Sequence, residues 1–169
     1  MNGAKVDLDL IFCTIAKKYR LEKTLIKAMA IVESALDVKA YRYEPMFWER
    51  YLKNNDSWKD KDSKIVSASY GLMQLMFTTA WQLGFRGQAE DLYNPVINVE
   101  LGAKLMRQLM DRVRSTSNIG LWPLDIALAR WHGGSRGNPS TDGLLQDQAY
   151  VDKVLGVYWG LRGEKDDCE

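Results

Sequence analysis

The sequence at residues 94–113, Asn-Pro-Val-Ile-Asn-Val-Glu-Leu-Gly-Ala-Lys-Leu-Met-Arg-Gln-Leu-Met-Asp-Arg-Val, indicates a long helix and with it the fold class. Asn94 can cap a helix start, and Pro95 suits the first helical position because the N–H there would be unpaired in any case. Apolar side chains then recur at every fourth position, close to the helical period, at Ile97, Leu101, Leu105, Leu109 and Val113. We therefore expect one long amphipathic helix with this stripe facing the core.

The segments on both sides of this helix predict further helices and little β-structure. Apolar periodicity, glycine and proline place these helices at Leu8–Tyr19, at Glu22 to near Asp37, at Thr78 or Thr79 to Leu83, at Pro123 to Gly133, and at Val151–Leu161. Phe47–Leu52 adds a turn or two, and Ile65–Tyr70 is a short β-like run. Polar composition predicts loops at 54–62, 115–120 and 135–143 and a frayed tail at 164–169. The chain is therefore expected to be an all-α single domain of six or seven helices with at most one small β element.

The composition is that of an ordinary globular domain and excludes several classes of function. A length of 169 residues fits one domain, and 46% hydrophobic residues can supply a core. The net charge of +1 provides no long-range field that would attract nucleic acid or an anionic membrane surface. Near the start, the apolar stretch Leu8–Ala16 is interrupted by Asp9, and no run approaches the ~20 residues of a bilayer span. We expect a soluble protein with no signal peptide, no nucleic-acid partner and no membrane insertion.

Two cysteines, Cys13 and Cys168, lie 155 positions apart. This excludes a disulfide-stapled miniature fold and a multi-cysteine zinc site. We expect two free thiols, although a bridge between the chain ends stays open because the termini of compact domains often lie close together. Neither a metal nor a cofactor is expected.

Glu33 is the carboxylate with the most unusual surroundings. On a helix, its neighbours three, four and seven residues back are apolar: Ala30, Met29 and Ile26. In a cleft, desolvation would raise the pKa of such a carboxyl and keep it protonated for general-acid chemistry. The alternative is a glutamate at a helix end that reaches solvent, and position alone favours this alternative.

Two further segments contain residues suited to binding or catalysis. In Ser69–Met76, Gly71 permits close backbone approach, and Gln74 offers donors and acceptors for a sugar amide or hydroxyl. Met73 in the same run suits a core equally well. His132, the single histidine, precedes a Gly-Gly pair at a helix end. It could be a base, a donor to a ligand, or a favourable cation at the negative helix terminus.

Four short motifs in this order resemble the catalytic domain of soluble lytic transglycosylases, the relatives of goose-type lysozyme in glycoside hydrolase family 23. They are Glu33-Ser34, then Gly71-Leu-Met-Gln74, then Arg130-Trp-His-Gly-Gly134 in the place of the family's Ala-Tyr-Asn-Ala-Gly, and Tyr150-Val-Asp-Lys-Val154. The resemblance covers about residues 20–160. The chain departs from the family pattern where Trp131 replaces Tyr, His132 replaces Asn, and Gln146 replaces a frequent Glu.

This resemblance implies a lysozyme-like fold and a peptidoglycan substrate, and we expect the protein to be a monomer. It implies that Glu33 acts first as acid and then as base on the β-1,4 bond between N-acetylmuramic acid and N-acetylglucosamine, which gives a 1,6-anhydro product. The other site residues follow from the same motifs. Substrate contacts are expected from Ser34, Met73, Gln74 and His132, and Tyr150 is expected to orient Glu33.

Two alternatives stay open beside the transglycosylase. If Glu44 faced Glu33 across the cleft, it could hold a water, and the enzyme would be a hydrolysing muramidase. We favour the more ordinary arrangement, in which Glu44 forms an ion pair with Arg42 or Arg50. The second alternative is an inactive peptidoglycan-binding domain, suggested by the changes at Trp131 and His132.

Action outside the cytoplasm would require release by a holin, carriage on a virion, or a leader that has been removed.

Overall fold

The architecture comes from a computed structural model that describes residues 6–114, 122–134, 145, 147–162 and 168. Within these residues the chain forms eight α-helices and three β-strands. The helices are α1 (Leu8–Tyr19), α2 (Lys23–Ser34), α3 (Pro45–Phe47), α4 (Ser63–Val66), α5 (Phe77–Gln82), α6 (Pro95–Arg114), α7 (Pro123–Gly133) and α8 (Gln148–Leu161). The strands are β1 (Tyr41–Tyr43), β2 (Ala68–Tyr70) and β3 (Leu75–Met76), with a π-helical turn at Trp48–Leu52 and a 3₁₀ turn at Ala89–Tyr93. The expected mainly helical, lysozyme-like domain is confirmed.

The small sheet is antiparallel in the order β1-β2-β3. Tyr41 pairs with Tyr70, and Ser69 pairs with Met76. The sequence pattern indicated only β2, because strands of two or three residues carry too few alternations to be recognised. The expected β-like run at Ile65–Tyr70 begins instead as helix α4, whose N-cap Asp62 accepts a bond from the Lys64 amide.

Two hydrophobic clusters form the interior. The larger one lies among α1, α2, α6, α7 and α8, and its largest fully buried members include Phe12, Ile26, Met29, Met106, Leu128 and Val151. The smaller one lies under the sheet and the short helices and includes Val66, Tyr70, Phe77 and Leu92. Helix α6 contacts both groups of elements, since it packs against α1 and α7 on one side and against β3 and the 3₁₀ turn on the other.

The buried face of α6 differs from the expected stripe. The fully buried positions are Asn98, Val99, Gly102, Ala103, Met106, Leu109 and Val113, whereas Ile97, Leu101 and Leu105 are only partly buried. A strict four-residue row drifts around a helix that has 3.6 residues per turn, so the face toward the core must alternate steps of three and four. The expected helix was therefore confirmed, with its buried face rotated.

The two cysteines form a disulfide, with their Cα atoms 5.5 Å apart. The expectation of two free thiols was wrong. Cys13 lies on the buried face of α1, and the end of the chain returns to it, as the termini of compact domains often do. The expected loops at 115–120 and 135–143, and the tail 164–169 apart from Cys168, lie outside the described residues. Among the helices described, none is both long and apolar enough to cross a lipid bilayer.

Asn98 joins the two clusters through three hydrogen bonds. Its side-chain amide donates to the carbonyl oxygens of Tyr70 at 2.8 Å and Leu92 at 2.9 Å, and its Oδ1 accepts from the Met73 amide at 2.7 Å. The residue is completely buried. A buried backbone group without a partner costs roughly 1–3 kcal/mol, so one side chain here satisfies three groups that water does not reach.

Replacing Asn98 with Ala should therefore lower the free energy of unfolding by at least about 3 kcal/mol, measured by urea denaturation. The matched control is Asn94→Ala, since exposed Asn94 caps α6 through its bond with the Val96 amide and should cost about 1 kcal/mol. Equal losses in the two variants would contradict a special role for Asn98.

Candidate active site

Glu33 lies in the last turn of α2. We expected this helix to continue to near Asp37, but it ends at Ser34 because Ala35 and Leu36 take left-handed backbone conformations, with φ of 53° and 64°. The Ala35 amide caps the helix by donating to carbonyl oxygens of the last turn. Because the helix ends early, Glu33 lies one residue before its C-terminus, and the Glu33 side chain is partly buried there.

One oxygen of the Glu33 carboxyl receives two hydrogen bonds. The Tyr150 hydroxyl donates to Oε1 at 2.6 Å, and the Trp131 indole N–H donates to the same atom at 2.8 Å. No donor among the described residues bonds to Oε2. The carboxyl is thus fixed in orientation through Oε1, whereas Oε2 has no donor among the described residues, an arrangement suited to acid–base chemistry at one oxygen.

The surroundings of Tyr150 keep its phenol protonated. Burial raises the pKa of Tyr150 above its ordinary value of 10.0, and the negative charge of Glu33 and the hydrogen bond to it act in the same direction. A phenol that stays protonated can only donate its hydrogen to a neighbouring carboxylate. The expected contact between the Tyr150 hydroxyl and Glu33 is present.

Trp131 supplies the second donor, which the sequence did not identify. A tryptophan at a helix end is more often a core residue, and its indole nitrogen is a donor only. The side chain packs against the larger cluster with its N–H turned to Glu33. The motif has Tyr at this position and this chain has Trp131. Both side chains carry a hydrogen-bond donor, here the indole N–H in place of a phenol hydroxyl.

His132 meets an acidic partner that sequence analysis also missed. Its Nδ1 lies 3.0 Å from Oδ1 of Asp147, and its ring stacks on Tyr150 with centroids 4.5 Å apart and an angle of 17° between the planes. The His132 side chain is 48% exposed, so its other face remains open to a ligand. Asp147 is the residue just before α8, a position where an acidic side chain is common. The sequence alone does not show that this position lies next to the end of α7.

The Gly71–Gln74 loop forms a rigid turn beside α2. Gly71 has φ of +67°, and a side chain there would come within 2.6 Å of the Leu92 carbonyl oxygen, so both conformation and space require glycine. The Gln74 amide donates to the carbonyl oxygens of Gly71 at 3.1 Å and Ala40 at 3.2 Å. Its own carbonyl oxygen has no donor among the described residues and is the part of the side chain left for a ligand.

Two other residues expected to contact substrate support this loop. The Ser34 hydroxyl lies within hydrogen-bond distance of the carbonyl oxygens of Leu72, at 2.9 Å, and Ala30, at 3.1 Å, and so ties the end of α2 to the loop. Met73 is completely buried and packs on Gly102 of α6. The structure therefore places the Met73 side chain in the core rather than on a cleft wall.

Glu44 forms an ion pair with Arg42. Of the two partners considered for it, Arg50 instead lies over the ring of Tyr51. Within the described residues, no group of three or more His, Cys, Asp or Glu side chains could hold a metal ion. Gln146, where the motif often has Glu, lies outside the residues described.

Comparison with protein families identifies the domain to which most of the chain belongs. The family model described as the transglycosylase SLT domain matches residues 11–129, more than half of the chain. The chain belongs to this family. An SLT domain implies lytic transglycosylase activity on peptidoglycan, and hence action at the cell wall. Comparison with curated protein sequences finds no match.

The family match spans only part of the candidate site in this SLT domain. It includes Glu33, Ser34 and the Gly71–Gln74 loop, but it ends before Trp131, His132 and Tyr150. These last residues are brought to Glu33 by the packing of α8 against α2 and of α7 against α8. The site of the SLT domain is thus completed by residues beyond the matched segment.

The raised pKa of Tyr150 leads to a spectroscopic prediction. Because the folded pKa lies above the unfolded one, the stabilisation from Tyr150 is present in full below pH ~10 and is lost as the pH rises through the folded pKa. Titration of tyrosinate absorbance should therefore give equal amplitudes near pH 10 for the folded domain and its Tyr150→Phe variant. Loss of one tyrosine's absorbance in the variant at that pH would contradict the buried hydrogen bond.

Proposed function

We propose that this SLT domain cleaves the β-1,4 bond between N-acetylmuramic acid and N-acetylglucosamine and releases a 1,6-anhydromuramyl end, with Glu33 as the sole acid and base. The observation that carries the proposal is the asymmetry of the Glu33 carboxyl, with Oε1 held by Tyr150 and Trp131 and Oε2 without a donor among the described residues. A carboxyl fixed in this way can give and take a proton at one place.

In the first step, the Glu33 carboxylic acid donates its proton to the glycosidic oxygen. The bond from that oxygen to the anomeric carbon breaks, and the carbonyl oxygen of the muramyl N-acetyl group bonds to the anomeric carbon and stabilises its positive charge. The N-acetylglucosamine end leaves with the proton as its new hydroxyl. Glu33 is then a carboxylate that still accepts hydrogen bonds from the Tyr150 hydroxyl and the Trp131 indole.

In the second step, the Glu33 carboxylate removes the proton from the sugar's own O6 hydroxyl. O6 bonds to the anomeric carbon, the N-acetyl oxygen is released, and Glu33 regains its starting proton. No water is consumed and no second carboxylate is needed. Both proton transfers use the same face of the sugar, which suits a single carboxyl whose orientation does not change between the steps.

Two further side chains complete the proposed site, Gln74 on the Gly71–Gln74 loop and Ser34 at the end of α2. Gln74 would accept a hydrogen bond from a sugar amide or hydroxyl through its free carbonyl oxygen, because its amide group is used to hold the backbone. Ser34 would act on substrate through the loop that it anchors. All of these groups come from one chain, so we expect the monomer to be active.

Glu33→Gln should lower turnover of peptidoglycan by at least about a hundredfold, because glutamine accepts the same hydrogen bonds but cannot transfer the proton. Turnover is measured as the release of soluble muropeptides. The matched control is Glu49→Gln, an exposed glutamate paired with Lys53, which should leave turnover unchanged. Wild-type rates in Glu33→Gln would refute the assignment, and absence of turnover in the unmodified domain would favour a binding domain.

The ion pair of Glu44 favours the proposal over a hydrolysing muramidase. A hydrolase needs a second carboxylate that holds or attacks with water, and the Glu44 carboxylate is engaged by Arg42. Glu44→Gln should therefore retain turnover within about threefold, with mass spectrometry still finding anhydromuramyl ends. Reducing muramyl ends from the unmodified domain, together with their loss in Glu44→Gln, would show the hydrolase instead.

A further inference from the structure

Asp147 and His132 meet at the junction of α7 and α8. The distance between His132 Nδ1 and Asp147 Oδ1 is 3.0 Å, and the Asp147 side chain is only 18% exposed. His132 lies in the last turn of α7, and Asp147 is the N-cap residue of α8. A negative charge at a helix N-terminus is stabilised by the helix dipole, so the start of α8 favours a carboxylate at the position of Asp147.

Gly133 provides the space for the Asp147 carboxyl. A Cβ atom on Gly133 would lie 1.8 Å from Asp147 Oδ2, which is too short for a non-bonded contact, so the carboxyl would have to move. Gly133 is not among the residues with positive φ, so the need for glycine here comes from space and not from backbone conformation. The motif that this segment resembles has Asn and Ala where this chain has His132 and Gly133, and both of these positions lie next to the Asp147 carboxyl.

The pair is connected to Glu33 through Tyr150. The His132 ring lies nearly parallel to the Tyr150 ring, and the Tyr150 hydroxyl donates to Glu33 Oε1. A ring that is held on one edge by a carboxylate and on one face by a phenol has little freedom to turn. The orientation of His132 and the orientation of the Tyr150 donor are therefore fixed together.

We propose that Asp147 is a positioning residue of the active site. It accepts the Nδ1 hydrogen of His132, selects the tautomer in which Nε2 is a free acceptor, and keeps the imidazole flat against Tyr150 so that the phenol stays directed at Glu33. The activity part of this inference rests on the proposed function. The tautomer part does not, because it concerns only the two side chains.

The single histidine of the chain makes the tautomer directly measurable. In ¹⁵N–¹H correlation spectra of the neutral imidazole, the unmodified domain should show hydrogen on Nδ1, and Asp147→Ala should shift the hydrogen to Nε2, as in free histidine. An unchanged tautomer in Asp147→Ala would overturn the inference. This measurement needs no substrate, so it remains decisive even if the domain proves not to cleave peptidoglycan.

Gly133→Ala tests the same inference with the charge of Asp147 retained. The added methyl group must displace the carboxyl, so Gly133→Ala should give the same change of tautomer as Asp147→Ala, and the double variant should show no further change. The matched control is Gly156→Ala on α8, where a Cβ meets nothing within 4 Å, and it should leave the spectrum unchanged. A spectrum of Gly133→Ala like that of the unmodified domain would contradict the proposed contact.

Kinetics separate positioning from a purely structural role. Asp147→Ala should lower kcat about tenfold with KM within about twofold, because orientation of the reacting group is lost and not substrate affinity. In a Tyr150→Phe background, Asp147→Ala should have no further effect on kcat, because the hydroxyl through which Asp147 influences Glu33 is absent. Equal losses in both backgrounds would overturn the route through Tyr150.

Discussion

Two hydrogen bonds that converge on Glu33 Oε1 join three parts of the chain that are far apart in sequence. Trp131 is 98 residues from Glu33, and Tyr150 is 117 residues away. The carboxyl can be held in this way only if the last turn of α7 and the first turn of α8 both lie beside Glu33 with their donors directed at it. The packing of the large hydrophobic cluster provides this arrangement, and the hydrogen bonds in turn fix one carboxyl oxygen while the other stays available.

The position of the Gly71–Gln74 loop depends on a second set of buried polar contacts. Asn98 of α6 satisfies three backbone groups around the Gly71–Gln74 loop, and Ser34 ties that loop to the end of α2. Buried polar groups that are fully paired specify one arrangement more strictly than apolar packing does, because an unpaired alternative is costly. The loop and Glu33 are thus positioned by the same helix end, although they come from different parts of the fold.

Much of the fold and part of the site could be predicted from the sequence. Helical periodicity with capping residues gave the long helices, because those signals are local. Local signals failed where packing decides: at the buried face of α6, at the early end of α2, and for the two short strands β1 and β3. The ordered motifs pointed to Glu33 and Tyr150, whereas the roles of Trp131 and Asp147 depend on contacts between separate helices.

The sequence by itself determined the class of the domain, the order of its motifs and the identity of the candidate acid. The class of the domain follows from local spacing, and the candidate acid follows from the resemblance of the ordered motifs to a known family, because both can be read from the chain before it folds. Only the tertiary structure decided that Met73 is a core residue, that Glu44 pairs with Arg42, and that the two cysteines are joined. The reason is that each outcome depends on which distant group occupies the neighbouring space, and a linear pattern does not contain that information.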